Sequence, residues 1–146
     1  MKSKTFFIVA LALLGLLVGA GPLAAQDSGY KVIVHSTNPA SSMSRGDLSK
    51  IFLKRTTKWS DGRTATPLDL PESSGTRASF SRDVHNKSVD AIKAYWQQMV
   101  FSGRGVPPSQ RASVREIVDY VQSNPGAVGY VPSSAAVGNC KILAVR

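Results

Sequence analysis

The sequence predicts a small single-domain α/β fold, one sheet flanked by helices. Three observations carry that expectation. Short β-branched runs alternate with segments of helical period. Residues 27–146, which follow an apolar leader, are enough for one domain and too few for two. Cys140 is the single cysteine, so no internal disulfide can form and a hydrophobic core must hold the fold.

The elements follow in order. KVIVH (31–35) is rich in β-branched residues and predicts a strand. STNPASSM reads as a loop. Ser44 opens a helix, with Asp47 three residues on as a capping-box pair and Leu48, Ile51 and Phe52 as the buried face. KWSDGRTA (58–65) is a turn punctuated by Asp61-Gly62, and TPLDL is a short extended piece. A helix begins near Gly75 and runs to about Val84. Ser88 caps a longer helix with Val89, Ile92, Trp96, Met99 and Val100 on its apolar face. FSGRGVPPSQR, with two glycines and two prolines, is a loop. Ser113 and Glu116 form a second capping box, and Val114, Ile117, Val118 and Val121 line that helix. Asn124-Pro125-Gly126 stops it. AVGYV (127–131) and KILAV (141–145) are strands. No internal repeat, low-complexity tract or linker divides the chain.

Residues 1–26 have the layout of a secretory signal peptide: a basic MKSK, an uncharged apolar run, then small residues ahead of a polar DSG. Cleavage is expected near Ala25 or Gln26, which leaves a periplasmic domain of residues 27–146. The apolar run has the length of a signal core, so no permanent membrane anchor is expected, and no cysteine follows it to take a lipid. The whole chain has 18 basic and 9 acidic residues; loss of Lys2 and Lys4 with the leader leaves 16 against 9. Such a surface favours anions, anionic lipid or nucleic acid, and export excludes nucleic acid. Solubility accounts for the charge equally well.

Enzyme signatures are missing. There is no G-x-S-x-G elbow, phosphate-binding Walker loop or H-E-x-x-H. His35 and His85 are the only histidines and neither has an evident nucleophile beside it, so both read as surface histidines and no catalytic residue is assigned. One cysteine and two histidines do not make a zinc set, and no cofactor is expected. Cys140 reads as inert packing. Trp59 and Tyr130 read as core aromatics.

The segment PESSGTRASF (71–80) carries the chemistry. A helix N-terminus has unpaired N–H groups and a partial positive charge, and anions bind there. Ser73, Ser74 and Thr76 offer hydroxyls, and Gly75 lets a ligand approach the backbone. Arg77 opposes the helix dipole and calls for a nearby negative group, either Glu72 or a bound anion. On the residues alone, a plain serine cap is the simpler account. His35 and Asn38 follow the first strand, where ligands lie in open α/β sheets, and are secondary candidates.

SSGTRASF resembles the Ser-Gly-Thr segment of the phosphate-binding proteins of bacterial phosphate transporters. LSKIFLKRTTKWSDG is similar to that family's Leu-x-x-Ile-Phe-Leu-Gly-Lys…Trp-x-(Asp/Asn)-Gly segment, and AYWQQMVFSGRGVPP and NPGAVGYV resemble small exported relatives. The four stretches occur in the family's order between Val32 and Val131. The resemblance implies a periplasmic-binding-protein-like lobe of type II. It also implies a small anion, phosphate first, held by Ser74, Gly75 and Thr76. The chain departs from the family in three places: it is too short for two lobes, Leu70 stands where an arginine precedes Ser-Gly-Thr, and Lys54-Arg55 replaces Gly-Lys. Arg77 or Arg104 is then the expected source of the missing charge. The rival reading is an accessory or sensory module of the same fold, which contacts a membrane transporter or another envelope protein and holds no small ligand tightly.

Overall fold

The near-continuous apolar runs YKVIV and AVGYVP are buried on both faces and pair side by side at the centre of the sheet. The structure, a computed structural model, describes residues 29–146; the expected signal segment lies outside the described residues. Strands β1 (Tyr30–Val34), β2 (Ser42–Met43), β3 (Thr66–Asp69), β4 (Ser109–Gln110), β5 (Ala127–Pro132) and β6 (Lys141–Val145) form one sheet in the order β2-β6-β1-β5-β3-β4. β1 runs antiparallel to both β5 and β6, whereas β3 is parallel to β5 and to β4. The helices are α1 (Arg45–Phe52), α2 (Gly75–Phe80), α3 (Val89–Phe101) and α4 (Val114–Ser123).

The pleat of β5 sorts the helices into layers, because successive side chains point to opposite faces. Tyr130 points to the face covered by α1 and α2, where its ring stacks on Phe80 at 4.0 Å and meets Phe52 at 5.8 Å. Gly129 points to the other face, against Ile117 and Val121 of α4. A fully buried set including Val32, Ile33, Leu48, Leu68, Ile117, Val128 and Leu143 fills the space on both sides.

The expected helix starts are present. The hydroxyls of Ser44, Ser88 and Ser113 accept bonds from the N–H groups of Asp47, Ala91 and Glu116. The return bond of the Glu116 carboxylate goes to the Ala112 N–H, one residue outside the cap. The turn over 58–65 is closed by a Lys58–Thr64 bridge and pinned by the Trp59 indole N–H, which donates to the Gly126 carbonyl at 2.9 Å.

Four details differ from expectation. The loops STNPASSM and FSGRGVPPSQR each contribute a two-residue strand, β2 and β4, at the sheet's edges. Pairs this short have no alternation to read. The strand expected over 31–35 starts at Tyr30 and ends at Val34, before His35. The helix from Gly75 is α-helical only to Phe80 and continues as a π-helical turn, Ser81–His85, stopped by Asn86 at φ 52°. In α3 only Ile92 and Trp96 are buried; Val100 is 51% exposed, because the helix packs by its first turns and its end projects.

Gly129 is where α4 comes closest to the sheet. A Cβ there would lie 2.7 Å from Cγ2 of Ile117. Gly129→Ala should therefore lower unfolding stability by about 1–3 kcal/mol through overpacking, read as a shifted urea midpoint with unchanged slope.

Candidate functional site

The candidate segment begins where β3 ends. Asp69 is the last residue of β3, and Pro71–Ser74 turn the chain into α2. Ser74 is the N-cap, and its hydroxyl accepts the Arg77 N–H at 3.3 Å. The N–H groups of Gly75 and Thr76, ahead of the first intrahelical bond, are left over by that geometry. The hydroxyls of Ser73 and Thr76 make no hydrogen bond among the described residues. A Cβ at Gly75 would meet nothing within 4 Å, so the approach to this helix end is open.

Arg77 finds its negative partner inside the protein. Its side chain is only 8% exposed; Nη1 donates to the Leu70 carbonyl at 2.8 Å and Nη2 lies 3.6 Å from Asp69 Oδ2. Asp69 in turn accepts a bond from the Tyr130 hydroxyl at 2.6 Å, and that hydroxyl takes the Leu70 N–H at 3.3 Å. Neither Glu72 nor a bound anion is needed to explain Arg77; Glu72 pairs instead with Lys93 at 3.0 Å. Burial pushes the Asp69 carboxyl above its ordinary range, opposed by the Arg77 charge and the Tyr130 hydroxyl. Burial and then the Asp69 charge push the Tyr130 phenol upward. Leu70, in the place of the family arginine, is 3% exposed and belongs to the core.

Sheet register separates the candidates. β1 is antiparallel to β5 while β3 is parallel to it, so the carboxyl ends of β1 and β3 lie at opposite ends of the sheet. His35 and Asn38 therefore stand away from Ser73–Arg77. The His35 ring bonds Thr37 at 2.9 Å, and Arg63, just ahead of β3, bonds the same threonine. Asn38 is buried; its Oδ1 accepts the Ala40 N–H at 2.9 Å, its carbonyl takes Lys141, and its Nδ2 has no partner. Arg104 stands elsewhere again. It follows α3, is exposed, bonds Ser102 at 3.0 Å and shares a cleft with Arg55 and Tyr95. The structure thus brings together Ser73, Ser74, Gly75, Thr76 and Arg77, and leaves His35, Asn38 and Arg104 outside that group.

Asp69 and Tyr130 are the neighbours that sequence reading did not assign to this segment. The pairing of TPLDL with AVGYV would have revealed them, since it aligns Asp69 with Tyr130 on one face. His85 is not the surface histidine expected from sequence. Its ring packs edge-on to Phe80 at 5.5 Å and shares a 2.8 Å bond with Ser49. Cys140 is half-buried with its thiol on the Val118 carbonyl, and burial pushes its pKa up, in keeping with inert packing.

A cavity of about 450 Å³ opens beside the segment, lined by Glu72, Arg77 and Lys93 and by Trp96, Phe101 and Pro107. No cluster of His, Cys, Asp or Glu that could hold a metal is present among the described residues.

Sheet, helix order and Ser-Gly-Thr turn together make a mixed α/β fold of periplasmic-binding-protein type. The sequence profile described as "PBP superfamily domain" matches residues 27–140, and the chain belongs to that superfamily. A solved structure from Clostridium perfringens, described as a phosphate ABC transporter substrate-binding protein with bound phosphate, is 21% identical with a TM-score of 0.64. The match covers 80% of this chain and 44% of that one. An ABC-type phosphate transport receptor from Vibrio cholerae is likewise 21% identical, with a TM-score of 0.63 over 80% of this chain and 46% of its own. The chain spans less than half the length of these structures, and the likeness is one of fold. No curated protein sequence matches significantly.

Two outcomes test the buried network. Arg77→Met should cost about 3–5 kcal/mol by stranding a buried carboxylate, and adding Asp69→Leu should recover much of that loss in the same urea titration. Burial, with the Arg77 charge adding to it, lowers His85 from 6.5 to about 4. The folded state holds the ring neutral while the unfolded chain protonates it. This contribution is complete above pH 6.5 and lost as pH falls toward 4, about 3 kcal/mol in all. Replacement by glutamine should flatten that part of the stability–pH profile.

Proposed function

We propose that the chain is an exported, periplasmic solute-binding lobe that holds a small anion, phosphate first, at Ser74-Gly75-Thr76, and that it is not an enzyme. The observation that carries this reading is the open end of α2. Two amide N–H groups are left over there, Gly75 leaves the approach to them unobstructed, and the Ser73 and Thr76 hydroxyls flank it in the chain with no hydrogen bond of their own among the described residues. Donors converging on a helix N-terminus suit a tetrahedral oxyanion. The match of SSGT to the phosphate-binding segment, and the phosphate described in the C. perfringens structure, support the choice of anion. No helix among the described residues is long and apolar enough to cross a membrane.

A second reading has an observation in its favour. Asp69 neutralises Arg77, and Leu70 supplies no charge, so neither of these two positions lends a free cation to the donors. A ligand held by neutral donors alone is bound weakly, since charge-assisted bonds are about twice as strong. An accessory module that keeps the fold and contacts a transporter or another envelope protein follows from that.

Thermal unfolding in phosphate separates the two. On the first reading phosphate raises the melting temperature, because a ligand bound only by the folded state adds about 2.7 kcal/mol at a hundred times its Kd. The double variant Ser74→Ala, Thr76→Ala should lose that rise while remaining folded, less the roughly 1 kcal/mol of the serine cap. No shift of the wild type in millimolar phosphate, sulfate or a small carboxylate would leave the accessory reading.

A further inference from the structure

The end of α3 has a surface that anion binding at α2 does not use. The chain after α1 lies against α3 and the segment that follows it, joined by the Tyr95 hydroxyl on the Leu53 carbonyl at 3.3 Å and by Lys54 Nζ on the Pro107 carbonyl at 3.4 Å. Residues 48–60 and 94–111 contain no aspartate or glutamate. Lys54, Arg55, Lys58 and Arg104 form no ion pair among the described residues. Arg55 and Arg104 line one cleft of about 350 Å³ with Tyr95, Gln98 and Met99, and Arg55 lies over the Tyr95 ring at 5.7 Å.

Beside these cations stand the chain's exposed apolar side chains. Of the four large hydrophobics exposed among the described residues, three are here: Val100 at 51%, Phe101 at 94% and Val106 at 62%. The dipoles of α1 and α3 accommodate cations at their carboxyl ends. They give no reason for a phenyl ring held almost wholly in water.

We propose that this tip is a docking surface for an anionic lipid bilayer. Phe101, Val100 and Val106 enter the headgroup–acyl boundary while Arg55, Arg104 and Lys54 hold lipid phosphates. Charge complementarity names the partner, since the segments that form the tip carry no acid and Glu72, the one carboxylate lining the cavity beside Val100 and Phe101, is paired with Lys93. A projecting ring favours a bilayer over a protein, because fluid acyl chains receive it without a matching pocket. Interfacial binding of this kind combines apolar insertion with basic residues at the headgroups.

The test uses the full chain with a site-specific probe, so that attachment through other segments is not mistaken for docking. An environment-sensitive fluorophore is placed by Val106→Cys in a Cys140→Ser chain, and at Ser123→Cys on α4, across the sheet, as control. Vesicles of phosphatidylglycerol mixed with phosphatidylcholine should shift the emission at 106 to the blue and leave 123 unchanged. Vesicles of phosphatidylcholine alone should shift neither. Phe101→Asp should abolish the shift. Arg55→Gln and Arg104→Gln should each weaken the vesicle titration about fivefold, with unchanged circular dichroism, and added salt should weaken it further. A silent probe at 106, an equal shift at 123, or a response indifferent to Phe101 would overturn the proposal. A shift at 106 on adding an acidic protein but not vesicles would also overturn it.

Discussion

Tyr130 holds the centre of the structure together. Its ring, fully buried, stacks on Phe80 of α2, and its hydroxyl closes on the carboxylate at the end of the neighbouring strand. That carboxylate, Asp69, is paired with Arg77 of the same helix. Sheet and helix are thus joined twice, by an aromatic stack and by a buried ion pair with its own hydrogen bonds. The orientation of the Ser-Gly-Thr turn follows from both. A buried pair of this kind contributes little net stability compared with apolar packing, but it is costly to break. Its consequence is geometric: the start of α2 cannot rotate without stranding a charge.

The same pair also limits what the site can do. An arginine within the first turn of a helix, beside a turn that resembles a phosphate cradle, invites assignment as an anion ligand. Its guanidinium is turned inward, spent on Asp69 and the Leu70 carbonyl. What faces outward is a set of neutral donors on a basic molecule. On the proposed anion-binding reading, affinity would depend on the amides and hydroxyls and on the helix dipole, with the overall positive charge acting at longer range. The inward pairing of Arg77, with Leu70 beside it, is the physical basis for keeping an accessory role in view.

Two layers with different tasks flank the sheet. α4 lies against Gly129 and the apolar back of the sheet and serves the core. α1 and α2 cover the other face, and α3 packs outside them, on the π-helical turn and on Leu53 after α1; the Ser-Gly-Thr turn, the cavity beside Lys93 and Trp96, and the projecting end of α3 are found among these helices. Both proposed surfaces therefore belong to the helices α1–α3, and α4 buttresses the sheet from behind.

Local signals in the sequence were enough for the elements, the serine caps and the position of the Ser-Gly-Thr turn. Caps, turns and apolar periods depend on residues within a few positions of one another, and Ser44, Ser88, Ser113 and Asn124-Pro125 declare them directly. The family was legible for a similar reason, since four stretches kept their order. Strand direction and register were not. His35 and Asn38 looked like partners of Ser74 because both follow a strand, and only the antiparallel pairing of β1 with β5 sends them to the far end of the sheet. Arg77 looked like a ligand because its partner is eight residues back on another element, and Tyr130, 53 residues on, closes the network. The projecting end of α3 was hidden for the same reason: Val100 keeps the helical period of a buried face, and only the packing of the neighbouring elements leaves it in water. Which charge meets which, and which apolar residue finds a neighbour, is set by the chain's path through space, and no local pattern encodes that path.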